Sequence, residues 1–184
     1  MRTLIVGYGN ADRQDDGIAW HILCDLAQRL GRPIPAGPEE GFFPEGQEID
    51  LWFVPQLTPE MSEDFAQYHH IYFVDAHTGN IEQDVMLQPV EETPAASAFT
   101  HHLTPAACMA LTRSVFKASP EAKLLSVRGY QFEFTRDLSP KAEALVKPAA
   151  DILWDECQGS LRSTPARGQS QASEERSPDA PTAQ

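Results

Sequence analysis

The chain opens on an apolar run, Thr3-Leu4-Ile5-Val6, closed by Gly7. A run of this length ended by glycine predicts a buried strand. Beyond a short loop, Ile18, Ile22, Leu23, Leu26 and Leu30 recur at helical spacing, with Asp15 and Asp16 in the favourable first turn and Gly31 as a stop. Residues 31–48 are rich in proline and glycine without a sustained period and predict a long loop or lid. Strand character returns at Leu51-Trp52-Phe53-Val54 and again at Ile71-Tyr72-Phe73-Val74, which runs into Asp75. Asp84 to Pro89 predicts a weaker strand and Leu124-Leu125-Ser126-Val127 a fifth. Three helices are announced by a capping residue followed by proline: Thr58-Pro59, running to about Tyr68, Thr104-Pro105, running to Phe116, and Ser139-Pro140. The last carries Ala142, Leu145, Val146, Ala149, Ile152 and Leu153 on one face, with Pro148 as a kink. Strands alternating with helices predict a single α/β domain, a mostly parallel sheet with helices on both faces.

Length and composition agree with one domain and a tail. At 184 residues and 41% hydrophobic content the chain fills one core. We place the domain at 1–157. The Ser-, Pro-, Gln- and Arg-rich stretch 158–184 buries too little apolar surface to order itself and is expected to be a disordered polar tail. The net charge is −13, and because the charges of the tail cancel, the excess belongs to the fold. Such a surface argues against nucleic acid and anionic membranes, both of which need clustered Lys and Arg. No stretch approaches a membrane span and the opening run lacks the features of a signal peptide. Cys24, Cys108 and Cys157 are widely separated and form no C-x-x-C pair. A cytoplasmic protein without membrane insertion is expected.

Parallel sheets collect functional groups at the carboxyl ends of their strands. That rule selects Gly7, Gly9, Asn10, Asp12, Asp15 and Asp16 after the first strand and Asp75 at the end of the third. His101 and His102 stand just before the helix at Thr104, and His69, His70 and His77 could add to a metal-binding rim. Carboxylates and an imidazole at one sheet edge suit a divalent metal. A phosphate cradle at Gly7-Tyr8-Gly9 is disfavoured: Asp12 occupies the third glycine position of G-x-G-x-x-G, no Walker lysine follows, and the nearby acids repel pyrophosphate. No nucleotide is expected. The chain has neither a G-x-S-x-G elbow nor an H-E-x-x-H helix.

Three blocks, Gly7-Tyr8-Gly9-Asn10 with Asp15-Asp16-Gly17, Val74-Asp75-Ala76, and His101-x-Leu103-Thr104-Pro105, closely resemble the nickel-iron hydrogenase maturation proteases in order and rough spacing. The resemblance extends to about Glu156. It implies a twisted five-stranded sheet and an endopeptidase that removes the C-terminal extension of a hydrogenase large-subunit precursor after nickel insertion. It also implies a metal site of Asp16, Asp75 and His101, with Asp16 and Asp75 catalytic and nickel supplied by the substrate. Gly9 and Asn10 would support the loop, and His102 is the alternative to His101. The segment Pro55-Gln56-Leu57-Thr58-Pro59-Glu60 replaces the Gly-Gly-Thr of many family members and resembles a different subgroup. Two other functions fit the same ligands: a non-catalytic metal-site chaperone for that subunit, and a general peptidase with its own metal.

Overall fold

The computed structural model describes residues 1–91 and 103–162, with side chains to Gly159. Among the described residues the elements run β1 (Thr3–Tyr8), α1 (Ile18–Arg29), β2 (Ile49–Val54), α2 (Met61–Phe65), β3 (His70–His77), β4 (Val85–Pro89), α3 (Pro105–Phe116), β5 (Glu121–Arg128) and α4 (Pro140–Arg162). The strands form one five-stranded sheet in the order β2-β1-β3-β5-β4. Neighbours are parallel from β2 through β5, and β4 pairs with β5 in the antiparallel sense at the edge.

Alternation along the strands divides the core between two faces. Ile5, Tyr72, Val74, Leu125 and Val127 pack with apolar residues of α1 and α4, such as Ile22, Leu26 and Leu153. Leu4, Val6, Ile71 and Phe73 pack with α2 and α3 through Met61, Phe65, Cys108 and Met109. Phe65 and Phe73 meet edge to face at 5.6 Å on this second side. Each face of the sheet is therefore closed by a pair of helices, as the alternation of elements predicts. None of these helices is long and apolar enough to cross a membrane.

Two helices differ in extent from the sequence reading. The helix announced by Thr58-Pro59 is only the five residues of α2 and is preceded by Glu60, because Met61 and Ser62 first turn back onto Thr58 and Pro59. Helix α4 runs through Pro148 to Arg162, past the expected boundary at Gln158. The rest of the expected tail, 163–184, lies outside the described residues. Segment 31–48 is a loop, as expected, but it is tied down. Phe42 packs on Trp20 at 5.1 Å, its carbonyl accepts from the Phe53 amide, and the Asp50 carboxylate accepts from the amides of Glu45, Gly46 and Gln47.

Candidate functional site

Strand β1 lies between β2 and β3, so the chain leaves β1 to one side and later returns to the other. Such a reversal opens a crevice at the carboxyl ends of the strands. A cavity of about 610 Å³ lies there, lined by Tyr8, Asp16 and Asp75 together with Leu57 beyond β2 and Leu103 ahead of α3. A second cavity of about 600 Å³ shares Tyr8 and Asp75 and continues past Thr104 and Pro105 towards Glu91. Asp75 thus stands where two hollows meet.

Close backbone approach shapes the loop that presents Asp16. Gly9 has φ +140°, and a Cβ there would lie 2.2 Å from the Asp16 carbonyl oxygen. Asn10 donates its amide to Asp16 Oδ2 at 3.1 Å and accepts the Asp12 amide on its own side chain at 3.0 Å. Gly9 and Asn10 therefore fix the Asp16 carboxylate relative to the end of β1. Gly9→Ala is expected to destabilise the protein by about 2 kcal/mol. Urea unfolding reads this, and a variant as stable as the parent contradicts it.

The neighbouring acid has a different task. Residues Gln14–Gly17 form a single 3-10 turn before α1, and Asp15 is fully buried in it. Its carboxylate accepts from the amides of Tyr130, Gln131 and Ser139 at 2.7–2.9 Å and from the Ser139 hydroxyl at 2.7 Å. Burial opposes ionisation of Asp15, but these donors outweigh it and hold the carboxyl below its usual range. Gln14 reinforces the junction: its backbone is at φ +47°, its amide donates to the Thr135 carbonyl at 2.7 Å, and its side-chain oxygen accepts from the Glu133 amide. The expected first-turn dipole role of Asp15 gives way to that of a clamp joining the glycine loop to 130–139.

Asp75 ends the apolar part of β3, and alternation sets it on the α2/α3 face with Tyr8, two residues beyond the buried Val6. Burial first, and then the charge and hydrogen bonding of the neighbouring Asp75, raise the Tyr8 hydroxyl above its usual range. Burial pushes the Asp75 carboxyl up to about 6, partly offset by the bonds from Tyr8 and the Ala76 amide and reinforced by the negative charge of Asp16. A carboxyl raised to this range can carry a proton near neutral pH. Tyr8 was not singled out for this role by the sequence, although strand alternation was the available signal. Arg13, on the rim of the first cavity, was missed as well.

Other predicted ligands separate from this pair. His69 and His70 stand at the amino end of β3, where His69 Nδ1 accepts from the Arg2 amide and His70 faces Glu121. At about 3.3 Å per residue, that end is some 16 Å from Asp75 and cannot join its rim. His77 is buried, with Nδ1 accepting from the Gly79 amide. Asp12 is engaged by Arg136 at 2.6 Å. His101 and His102 lie outside the described residues. Among the described residues no cluster of three or more His, Cys, Asp or Glu side chains is gathered to hold a metal. The cysteines are poor nucleophiles, since burial pushes the thiols of Cys108 and Cys157 up to about 12 and that of Cys24 to about 11.

No protein-family model and no curated protein matches the sequence. Solved structures do match the fold. The hydrogenase maturating endopeptidase HybD from Escherichia coli is 23% identical, with TM-score 0.64 over 87% of this chain and 94% of its own. The solution structure of an endopeptidase from Escherichia coli is 21% identical, with TM-score 0.62 over 87% and 94%. The [NiFe] hydrogenase maturation protease HycI from Thermococcus kodakarensis KOD1 is 16% identical, with TM-score 0.58 over 85% and 92%. At these identities the likeness is one of architecture: the chain has the fold of the hydrogenase maturation endopeptidases.

Proposed function

We propose that this protein is a cytoplasmic endopeptidase that removes the C-terminal extension of a nickel-iron hydrogenase large-subunit precursor once nickel has been inserted. The observation that carries the reading is the convergence of Asp16, on the turn that follows β1, and Asp75, near the end of β3, on one cavity at the switch point of the sheet. Leu103 of the His101-x-Leu103-Thr104-Pro105 block lines the same cavity, and Thr104 and Pro105 line the adjoining one. The fold shared with proteins named as hydrogenase maturation endopeptidases supports the same conclusion.

In this reading nickel belongs to the substrate, held by the precursor's own cysteines. Asp16, Asp75 and His101 approach it, with His102 as the alternative imidazole, and dock the scissile peptide in the crevice. Nickel bound there would polarise the scissile carbonyl or lower the pKa of the attacking water; a carboxylate would take the water's proton and return it to the amine released as the C–N bond breaks. Asp75 suits that last step because its buried carboxyl is already raised towards neutrality. Gly9 and Asn10 keep Asp16 in place.

The test mixes purified protein with nickel-loaded and with nickel-free precursor and follows the intact mass. Only the nickel-loaded precursor is expected to lose its extension. Stable complex formation with no change in mass would make the protein a metal-site chaperone. Cleavage of unrelated peptides would make it a general peptidase.

A further inference from the structure

Asp16 and Asp75 are the two acids among the described lining residues of the cavity at the switch point. Arg13 is the one cation among its described lining residues, and the adjoining cavity has none. Its side chain is exposed, and its guanidinium lies 5.4 Å from the centroid of the Phe132 ring. Arg2, Arg29, Arg128 and Arg136 each pair with a carboxylate, whereas Arg13 has no such partner among the described residues. Even the adjacent Asp12 is taken by Arg136.

The backbone around Arg13 is held on both sides. Its amide donates to the Asn10 carbonyl at 3.0 Å, its carbonyl accepts from the Asp16 amide at 3.1 Å, and the next residue, Gln14, is pinned to Thr135. A guanidinium resting on an aromatic ring and anchored this way loses little freedom when it binds. Its planar fork matches a carboxylate. Across a fold of net charge −13, most of the surface repels such a group.

We propose that Arg13 forms an anion subsite of the crevice, binding a carboxylate of the extended peptide that lies across Asp16 and Asp75. The carboxylate is either an acidic side chain or the chain terminus. The proposal rests on the peptidase reading, since it assumes that a peptide occupies this crevice.

A labelled peptide carrying the precursor's C-terminal extension serves as the probe. It is prepared with its natural acids, with an amidated terminus, with Asp and Glu changed to Asn and Gln, and with both changes. Binding is followed by fluorescence anisotropy. The parent protein is expected to bind the natural peptide about tenfold more tightly than the doubly neutralised one. The single changes show whether terminus or side chain supplies the carboxylate. Arg13→Ala should bind the natural and doubly neutralised peptides equally while melting with the parent, and Arg13→Lys should keep part of the preference. A residue that only props up the 130–139 loop would not move this preference. Equal binding of all forms by the parent, no measurable binding of any, or an undiminished preference in Arg13→Ala overturns the proposal. Cleavage of the nickel-loaded precursor by a protein that shows no preference sinks the subsite alone; preference without cleavage sinks the peptidase reading alone.

Discussion

Asp75→Asn is expected to lower cleavage of the nickel-loaded precursor by about a thousandfold while raising the melting temperature at neutral pH by a few degrees. Both effects come from one environment. The Asp75 carboxyl is raised to about 6, chiefly by burial, from an ordinary value near 4. The folded state therefore holds the proton more tightly than the unfolded chain, and stability falls as pH rises between about 4 and about 6. Above that window the fold carries an ionised, poorly solvated carboxylate whose burial the hydrogen bonding of Tyr8 and the Ala76 amide only partly offsets. Asparagine removes the charge and its burden but can neither take a proton nor approach a cation as a carboxylate does. The stability gain should vanish below about pH 4, where both forms of the wild type are protonated. Asp16→Ala should lose cleavage to a similar degree without a comparable gain, because Asp16 helps to hold the loop through Asn10. Melting curves at pH 4 and 7 beside the cleavage assay check this; full activity in both variants would mean that neither carboxylate belongs to the site.

The second large effect concerns Asp15, which separates from its neighbour in kind. Asp15→Ala strands the part-buried amides of Tyr130 and Gln131 and the buried amide and hydroxyl of Ser139, and is expected to destabilise the fold by about 3 kcal/mol. For a protein of this size that corresponds to roughly 6–12 °C in melting temperature. The carboxyl is held below its usual range in the fold, so its contribution is present above the unfolded value near 4 and is lost as pH falls through the lower folded value. Asp15→Asn, which keeps one accepting oxygen, should fall between parent and alanine, and its deficit should shrink in acid. A loss below about 1 kcal/mol in Asp15→Ala would contradict the clamp.

These two adjacent aspartates mark where reading the sequence stops. Both stand in the first turn before an apolar helix, and nothing in their spacing distinguishes a clamp from a site residue. What separates them is a loop more than a hundred positions away, whose amides reach Asp15 and leave Asp16 at the cavity. Local signals transferred well. Thr104 does cap α3, its Oγ1 accepting the Ala107 amide at 3.2 Å, and Ser139 does the same for Ala142 while donating to Asp15. The same device failed at Thr58-Pro59 because the turn after Pro59 delays α2 to Met61. The direction of β4 was also hidden: its strand character is local, but its antiparallel pairing is set by where β5 arrives after α3. Arg13, and the place of Tyr8 beside Asp75, went unread because an arginine in an acidic loop and a tyrosine at a strand end are ordinary until their neighbours are known. Arg13 stands out only through its place on the cavity rim, where it has no ion-pair partner among the described residues.

In the proposed function Asp16 and Asp75 act together on one metal brought by the substrate. A structure of the protein with a divalent cation bound in the crevice tests it most directly. One ion is expected, with oxygens of both carboxylates and a nitrogen of His101 or His102 at about 2.0–2.2 Å. An ion bound by only one of the two carboxylates, or drawn to the acidic surface elsewhere with the crevice empty, would contradict it.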